Sequence, residues 1–267
     1  MTLLTEPTRI VLRNTWQPMD TDAAAYITAV ETADGQALEE KTKIAIDNFV
    51  LGCKQDGIWT AIKASCILAG ARTLAGALVP LVGTAPTNNG FIGIGTDYVR
   101  KTGLVGNGST KYLNSNRNNN ADPQNNQHLS VYINTAGTLA INEGYIGCGL
   151  ANNGASHIFR SPTNNGIASR SRNGSPGPFF GSANDIGLIG ISRSAAGSYI
   201  QRNNLVDNTV SLSSQTPLDQ SIVVFGRNQV AQTNARIAFY SIGESLNLAL
   251  LDTRVTTLIN AFAAAIP

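Results

Sequence analysis

The chain has 267 residues, of which 42% are hydrophobic, 13% charged and 6% aromatic, and its formal net charge is +2. This length is enough for one large all-β domain, or for a β-sandwich with a small helical domain. No apolar run is long enough for a membrane span, and the N-terminal sequence lacks the pattern of a signal peptide, so we expect neither. The positive charges are thinly spread, which does not favour nucleic-acid binding.

The first segment, residues 1–19, is predicted to be an N-terminal arm with a short strand-like patch at residues 10–12. In an assembling protein such an arm would dock on a neighbouring subunit, and the alternative is a disordered terminus. Both interpretations are open at this point.

Residues 20–76 are predicted to form a helical assembly segment. Asp20 is a candidate N-cap for a helix over 21–33, Gly35 is its stop signal, and a second amphipathic helix is predicted over 36–51. A third helix is predicted over 57–68, with Trp59 and Lys63 on one of its rows. Three helices this short bury little alone, so we interpret their apolar rows as a packing core rather than a ligand site.

From residue 77 the hydrophobic pattern changes to short alternating runs separated by Asn, Gly, Ser and Pro, which predicts a mainly β jelly-roll sandwich over 77–267. The predicted strands are Phe91–Ile94, Thr110–Asn114, Leu129–Asn134, Thr138–Glu143, His157–Ser161, Ile167–Arg172, Gly187–Arg193, Tyr199–Asn203, Asn208–Leu212, Ser221–Gly226 and Arg236–Ile242. Five Asn-Gly pairs, at 89–90, 107–108, 153–154, 165–166 and 173–174, are typical of type I′ hairpins.

Two further segments complete the predicted domain. Residues 114–127 (NSNRNNNADPQNNQ) contain no side chain expected to anchor a core, which predicts an exposed loop. Residues 247–266 carry apolar side chains at helical spacing, which predicts a C-terminal helix lying on the sandwich or on the N-terminal helices.

Catalytic sites are not indicated, and we expect no enzyme activity. A glycan hydrolase needs two carboxylates in one cleft, whereas the sandwich carboxylates are isolated in sequence: Asp122, Glu143, Asp185, Asp207 and Asp219. The two histidines, His128 and His157, exclude most His-based schemes, and no nucleophile elbow is present.

Metal and nucleotide sites are also not indicated. The cysteines form neither a zinc pattern nor a disulfide framework, and we interpret all three as small buried hydrophobes: Cys53, Cys66 and Cys148. Asp185 beside Asn184 is a poor match to a calcium site, although a loop-borne calcium ion stays open. Three Gly-x-Gly motifs, at 93–95, 106–108 and 147–149, lack the strand-to-helix context of a nucleotide fingerprint and are interpreted as turns.

A sugar-binding face is one interpretation of a set of tyrosines and arginines, because rings stack on pyranoses and guanidinium groups bind hydroxyls or carboxylates. The set is Tyr145, Arg160, Arg170, Arg172, Tyr199 and Arg202. Cross-strand packing pairs on a sheet are the favoured alternative.

The run TDYVRKTGLVGNGSTKYL (96–113) resembles the opening strands of concanavalin A-like, laminin G-like jelly rolls in bacteriophage virion proteins. The segments at 128–133, 187–204 and 236–246 resemble later strands of that domain, and 24–70 resembles the helical segment in front of it. The resemblance implies core positions for Tyr98, Tyr112 and Leu113. The family often has Asp where this chain has Asn107, and this difference weakens the interpretation of that turn as a metal site. No catalytic or binding residue carries over.

The resemblance implies a structural virion protein of the tail, tail fibre or head surface, made in the host cytoplasm. The expected partners are other virion proteins, further copies of the chain and a host surface glycan, with no cofactor, no nucleic acid and no membrane insertion. The alternative is a lectin-like carbohydrate-binding module for receptor recognition, and a glycan depolymerase is third. The sequence leaves the ligand-binding residues, the oligomeric number and the position in the virion open.

Overall fold

The computed structural model of the chain describes residues 16–267. The strand-like patch predicted at residues 10–12 therefore lies outside the described residues, as does the rest of the predicted arm up to residue 15. Trp16 packs against the hydrophobic core, and the backbone N–H of Met19 donates to Asp47 at 3.2 Å. The start of the described chain is thus attached to the second helix.

Three of the four predicted helices are confirmed. They are α1 (Thr21–Asp34), α2 (Glu40–Gln55) and, after a short unpredicted α3 (Leu74–Ala77), the C-terminal α4 (Leu248–Ala265). The Asp20 carboxylate caps α1 by accepting from the backbone N–H of Asp22 at 2.9 Å and of Ala23 at 3.2 Å. Gly35 ends the helix in the left-handed conformation, with φ of 65°.

The third predicted helix, over 57–68, is wrong. Trp59–Ala61 forms a single 3₁₀ turn, and strand β1 (Ile62–Ile67) follows it and pairs antiparallel with the last strand of the sheet. A spacing of four residues, as between Ile62 and Cys66, is one helical turn but also two periods of a strand, so the pattern does not distinguish them. Nearly every residue of β1 is buried, as is expected for a strand covered on both faces and not for an amphipathic helix. The division into 20–76 and 77–267 stays a prediction.

The predicted fold class is confirmed, because the described strands form two antiparallel sheets packed as a sandwich. The other strands are β2 (Thr87–Asn89), β3 (Tyr98–Val99), β4 (Gly103–Val105), β5 (Tyr112–Asn118), β6 (Gln127–Thr135), β7 (Glu143–Cys148), β8 (Ala155–Ser161), β9 (Gly166–Asn173), β10 (Gly187–Arg193), β11 (Tyr199–Asn203), β12 (Val206–Val210), β13 (Ser221–Val224) and β14 (Arg236–Gly243). Within residues 16–267, the larger sheet has the order β12-β11-β10-β6-β14-β4-β3, with β1 beside β14, and the smaller has the order β2-β5-β13-β7-β8-β9.

Helices cover the larger sheet on the side away from the smaller one. The rings of Phe49 on α2 and Phe239 on β14 meet edge to face at 5.8 Å. On β10, Gly190 lies beneath α4, and a Cβ there would be 2.8 Å from Leu248 Cδ2. Among the described helices, α4 alone has the length and mean hydropathy, 1.2, that would allow a membrane span by composition. Here it packs on α2 and β10.

Two predicted strands are wrong. Residues 91–94 form a loop in which Gly93 has φ of 138° and Ile92 and Ile94 are exposed. Residues 138–142 also form a loop, because the side chain of Glu143 accepts a hydrogen bond from the backbone N–H of Leu139 at 3.0 Å and holds that segment out of the sheet. Apolar residues alone do not make a strand without a partner strand.

The Asn-Gly pairs do not form type I′ turns, since none has positive φ at both residues. Asn107 instead accepts hydrogen bonds on Oδ1 from three successive backbone N–H groups, which makes an Asx-type turn. The two-residue turn between β11 and β12 does have positive φ at both positions, 49° at Asn204 and 64° at Leu205. A sequence without glycine therefore adopts the conformation that the Asn-Gly pairs predicted elsewhere.

The predicted exposed loop over 114–127 is only partly a loop. Residues 112–118 belong to β5, and the polar side chains of Ser115, Asn119 and Asp122 are buried. Ser115 Oγ donates to the carbonyl of Ile222 at 2.6 Å, which anchors this segment to β13. Of the core residues implied by the resemblance, Tyr98 and Leu113 are buried, and Tyr112 is partly buried against the core.

Candidate functional site

The tyrosines and arginines proposed as a sugar-binding face are all buried. Arg160 and Glu143 are cross-strand partners on β8 and β7 and form an ion pair in the interior. Tyr199 donates to the carbonyl of Ser169 at 2.9 Å in the core. This set therefore forms no exposed face, and the interpretation of the six residues as an exposed sugar-binding face is wrong.

The five sandwich carboxylates are engaged separately. Asp122 pairs with Arg117, Glu143 with Arg160, Asp207 with Arg202, Asp185 accepts from the backbone N–H of Ser182, and Asp219 accepts from Asn118. Among residues 16–267, no three His, Cys, Asp or Glu side chains come close enough together to hold a metal ion. The described residues thus bring neither a catalytic pair nor a metal cluster together from the predicted candidates.

Both histidines are buried. Burial lowers the pKa of His128 to about 4 and that of His157 to about 3. They are neutral at pH 7 and have no access to solvent. The three cysteines are free and buried, as predicted.

The feature best suited to bind a ligand is an open groove of 370 Å³ beside α1, which we call the Trp59 groove. Its lining residues are Asp22, Ala25, Tyr26, Ala29, Trp59, Pro80, Leu81 and Val82. One wall is a single face of α1, because residues at i, i+3, i+4 and i+7 of a helix share a side. The other wall is the segment 80–82, which pairs with β1 through Ser65.

The floor of the groove is set by the turn that follows α2. Gly57, with φ of 70°, reverses the chain after α2, and Trp59 opens the 3₁₀ turn that leads into β1. This turn places the indole beside the first turn of α1. Trp59 Nε1 donates to Asp22 Oδ2 at 3.2 Å, which fixes the ring orientation.

A lysine between two aspartates completes the site. Lys54 Nζ lies 2.7 Å from Asp22 Oδ2, bonds both oxygens of Asp20, and is 5.7 Å from the centre of the Trp59 ring. Hydrogen bonds to Asp20 and Asp22 raise the pKa of Lys54. Burial raises the pKa of Asp20, but the hydrogen bonds from Lys54 and from the α1 backbone outweigh it, so this pKa lies below its usual value. Lys54 and Asp20 are therefore both charged at neutral pH.

The groove has side chains suited to ligand binding. Its described lining contains one carboxylate, one indole, the phenol of Tyr26 and aliphatic side chains, with no histidine or cysteine. Within residues 16–267 both contacts to Asp22 use Oδ2, so Oδ1 remains available to accept a hydrogen bond from a ligand hydroxyl. A flat apolar ring face beside a fixed acceptor suits a ligand with an apolar face and a polar rim.

Sequence reasoning missed this site, because it assigned Trp59 to a packing row of the third helix. The groove is assembled from α1, the 3₁₀ turn and the segment 80–82, and their proximity depends on β1 being a strand. One signal was available in the sequence. Trp59 is one of only two tryptophans in the chain, and it stands two residues after Gly57.

No protein-family model matches the chain, and no curated protein matches it. Among solved structures, it is similar to the receptor binding domain of botulinum neurotoxin C/D mosaic serotype, with a TM-score of 0.50 and 15% identity over 74% of this chain and 51% of that chain. The binding domain of botulinum neurotoxin serotype D has a TM-score of 0.49 and 14% identity over 74% of this chain and 50% of that one. Trypanosoma rangeli sialidase has a TM-score of 0.48 and 13% identity over 75% of this chain and 33% of that one.

This chain spans about half the length of the two neurotoxin domains. At these identities the likeness concerns the fold alone, which is a β-sandwich.

Proposed function

We propose that this chain is a glycan-recognition module that binds a pyranose ring in the Trp59 groove. The observation that carries the proposal is the fixed pair of Trp59 and Asp22, in which an indole lines an open groove beside a carboxylate. The C–H face of a sugar stacks on the indole, and Asp22 Oδ1 accepts a hydrogen bond from a ring hydroxyl. Ala25 and Ala29 leave room along α1 for a second sugar unit.

The charges of the site favour a neutral sugar over an anionic one. Lys54 is already bonded to Asp20 and Asp22, so the three groups carry one net negative charge. A carboxylate or sulfate on the ligand would be repelled by this charge and would find no unpaired cation among the described lining residues. We therefore expect neutral hexoses or N-acetylhexosamines to bind better than sialylated glycans.

The fold is compatible with recognition, since a neurotoxin receptor binding domain also uses it. The resemblance of residues 96–113 to phage virion jelly rolls supports a virion surface, on the tail, tail fibre or head, as the location of the module. In this proposal the chain assembles with other virion proteins and contacts a host glycan. The proposed role is binding and not hydrolysis, because the carboxylate nearest to Asp22, that of Asp20, is buried and bonded to Lys54 through both oxygens.

The test is a glycan array with neutral oligosaccharides and sialyllactose, followed by calorimetric titration of the best binder. Trp59→Ala should weaken that binder at least tenfold, because stacking is lost, and Asp22→Asn should weaken it by a smaller factor. Phe179→Ala is the matched control, since Phe179 lines a separate groove, and it should leave the affinity unchanged. No binding at high protein concentration, or binding that survives Trp59→Ala, would overturn the proposal.

A further inference from the structure

Strand β12 is a free edge of the larger sheet. It pairs with β11 on one side only, and the two-residue turn at Asn204 and Leu205 connects the two strands. Within residues 16–267 no strand lies on its other side. Edge strands offer unpaired backbone groups to another strand, and natural proteins usually block them.

The register of the hairpin determines which backbone groups face outward. Asn203 and Val206 flank the two-residue turn as partners, so they form a hydrogen-bonded pair, and such pairs recur at alternate positions of the ladder. The N–H and C=O groups of Asp207 and Thr209 therefore point away from β11. Both residues are exposed.

The usual edge protections are absent from β12, whose sequence VDNTV contains no proline and no lysine. The charge of Asp207 is already paired, since Arg202 Nη1 donates to its carboxylate at 2.7 Å. At the turn, Leu205 and Val206 are 72% and 55% exposed. Leucine at positive φ costs ~1 kcal/mol. Because Leu205 is exposed in the single chain, burial of its side chain does not offset this cost.

A groove lies at the opposite end of the same strand. Its volume is 590 Å³, and residues 176–179 form one side of it while Thr209, Val210, Ser211 and Leu212 form the other. Val210 and Val206 are on the same face of β12, because side chains two or four residues apart share a face. An exposed apolar end and a largely apolar groove therefore lie at the two ends of one edge strand.

We propose that two copies of this chain pair their β12 strands antiparallel around a two-fold axis at Asn208. This register places Asp207 opposite Thr209 of the partner subunit, and the outward backbone groups of both then form hydrogen bonds. Val206 comes opposite the partner subunit's Val210, and Leu205 opposite the partner subunit's Ser211. Each copy thus inserts its exposed turn into the groove of the other, and the two larger sheets become continuous.

Charge is compatible with this pairing. Asp207 of one copy is offset by two residues from Asp207 of the partner subunit, and each carboxylate keeps its own Arg202. Asn208 faces its symmetry mate across the axis as a neutral polar pair. The interface contains no like charges placed directly opposite each other.

The first test is the mass of the protein by sedimentation equilibrium over a wide concentration range. The wild-type chain should reach twice the single-chain mass of 28.1 kDa. Thr209→Pro removes one outward N–H without affecting the β11 ladder, so the dimer should be lost with the melting temperature of the single chain retained. Thr209→Val is the matched control and should remain dimeric. A monomeric wild type, or a dimer unaffected by Thr209→Pro, would contradict the pairing.

The second test fixes the register by disulfide trapping. The two Asn208 residues form a non-hydrogen-bonded pair with Cα atoms ~4.5 Å apart, so Asn208→Cys should cross-link two chains under mild oxidation. The two Thr209 residues are offset by two positions, ~6.8 Å along the strands, and the ~4.8 Å between the strands places their Cα atoms ~8 Å apart. This is beyond the ~7 Å that a disulfide spans, so Thr209→Cys should not cross-link. The native cysteines are buried and do not compete. Equal cross-linking of both variants, or of neither, would rule out this two-fold register.

Discussion

Glu143 and Arg160 form an ion pair that is shielded from solvent between the two sheets. Arg160 Nη1 donates to Glu143 Oε1 and also to the carbonyl of Leu139 at 2.9 Å. The second carboxylate oxygen accepts from Thr233 Oγ1 at 2.7 Å and from the backbone N–H of Asn234 at 3.1 Å. One carboxylate thus joins β7, β8 and the segment before β14.

Glu143→Gln should destabilise the fold strongly, because it leaves the Arg160 charge buried without a counter-charge. We expect the free energy of unfolding in urea to fall by about 3 kcal/mol. Glu244→Gln is the control, since its pair with Lys63 is solvent-accessible at 3.2 Å and should change stability by less than ~0.5 kcal/mol. Equal losses in the free energy of unfolding for the two substitutions would mean that burial of the Glu143–Arg160 pair does not determine its effect on stability.

The stability of the fold should fall as the pH is lowered from 6.5 towards 4. Burial depresses the pKa of His128 to about 4 and that of His157 to about 3, against 6.5 for the unfolded chain. Between these values the unfolded state binds a proton that the folded state does not, so acid favours unfolding. Each histidine contributes a slope of about 1.4 kcal/mol per pH unit in this window.

Urea unfolding at pH 7.5 and at pH 5 measures this slope. His157→Phe should reduce the difference between the two pH values, because it removes one of the titrating groups, whatever its effect on stability at pH 7.5. An unchanged difference would show that groups other than His157 control the acid response.

Gly190→Ala should destabilise the packing of α4 on the sheet. The new methyl group would lie 2.8 Å from Leu248 Cδ2 and 3.2 Å from Ser130 Cβ, so the buried Leu248 side chain must leave its position or α4 must move with it. We expect a loss of about 2 kcal/mol in the free energy of unfolding. Gly197→Ala provides the comparison, because a Cβ there meets no atom within 4 Å, and it should be nearly neutral.

Leu205→Gly should stabilise the single chain while it weakens self-association. Glycine adopts positive φ freely, although its greater freedom in the unfolded chain cancels part of the gain, so we expect a net increase of about 0.5 kcal/mol. Unfolding is measured at a concentration where the single chain predominates. Asn204→Gly should gain less, since asparagine already tolerates this conformation, and a larger gain there would contradict the explanation.

The sequence predicted the strands best where alternation and turn signals agreed. Strands β10 and β11 have the predicted bounds, Gly187–Arg193 and Tyr199–Asn203. Both lie between clear breakers and are held by neighbours on each side. The residues at 91–94 and 57–68 failed because their apolar spacing is compatible with more than one structure, and only pairing with distant segments decides between them.

The site and the polar interior were much less predictable. The Trp59 groove depends on the proximity of α1 and the segment 80–82, which nothing local in the sequence specifies. Buried arginines were expected at the surface, because a charged side chain is rarely buried unless it is paired. Arg193 is buried since its guanidinium donates to five backbone carbonyls, a pattern that only the folded backbone creates.

The pairing of β1 with β14 governs how the polypeptide can fold as it leaves the ribosome. Cys66 lies opposite Tyr240 in this pair, and α2 packs against α4, so β1 and α2 lack these two partners until the last strand and helix have been synthesised. Contacts between segments this far apart in sequence form slowly. The apolar face of α2 is therefore exposed during most of translation, and chaperones that hold nascent chains should associate with it until residues 236–265 emerge.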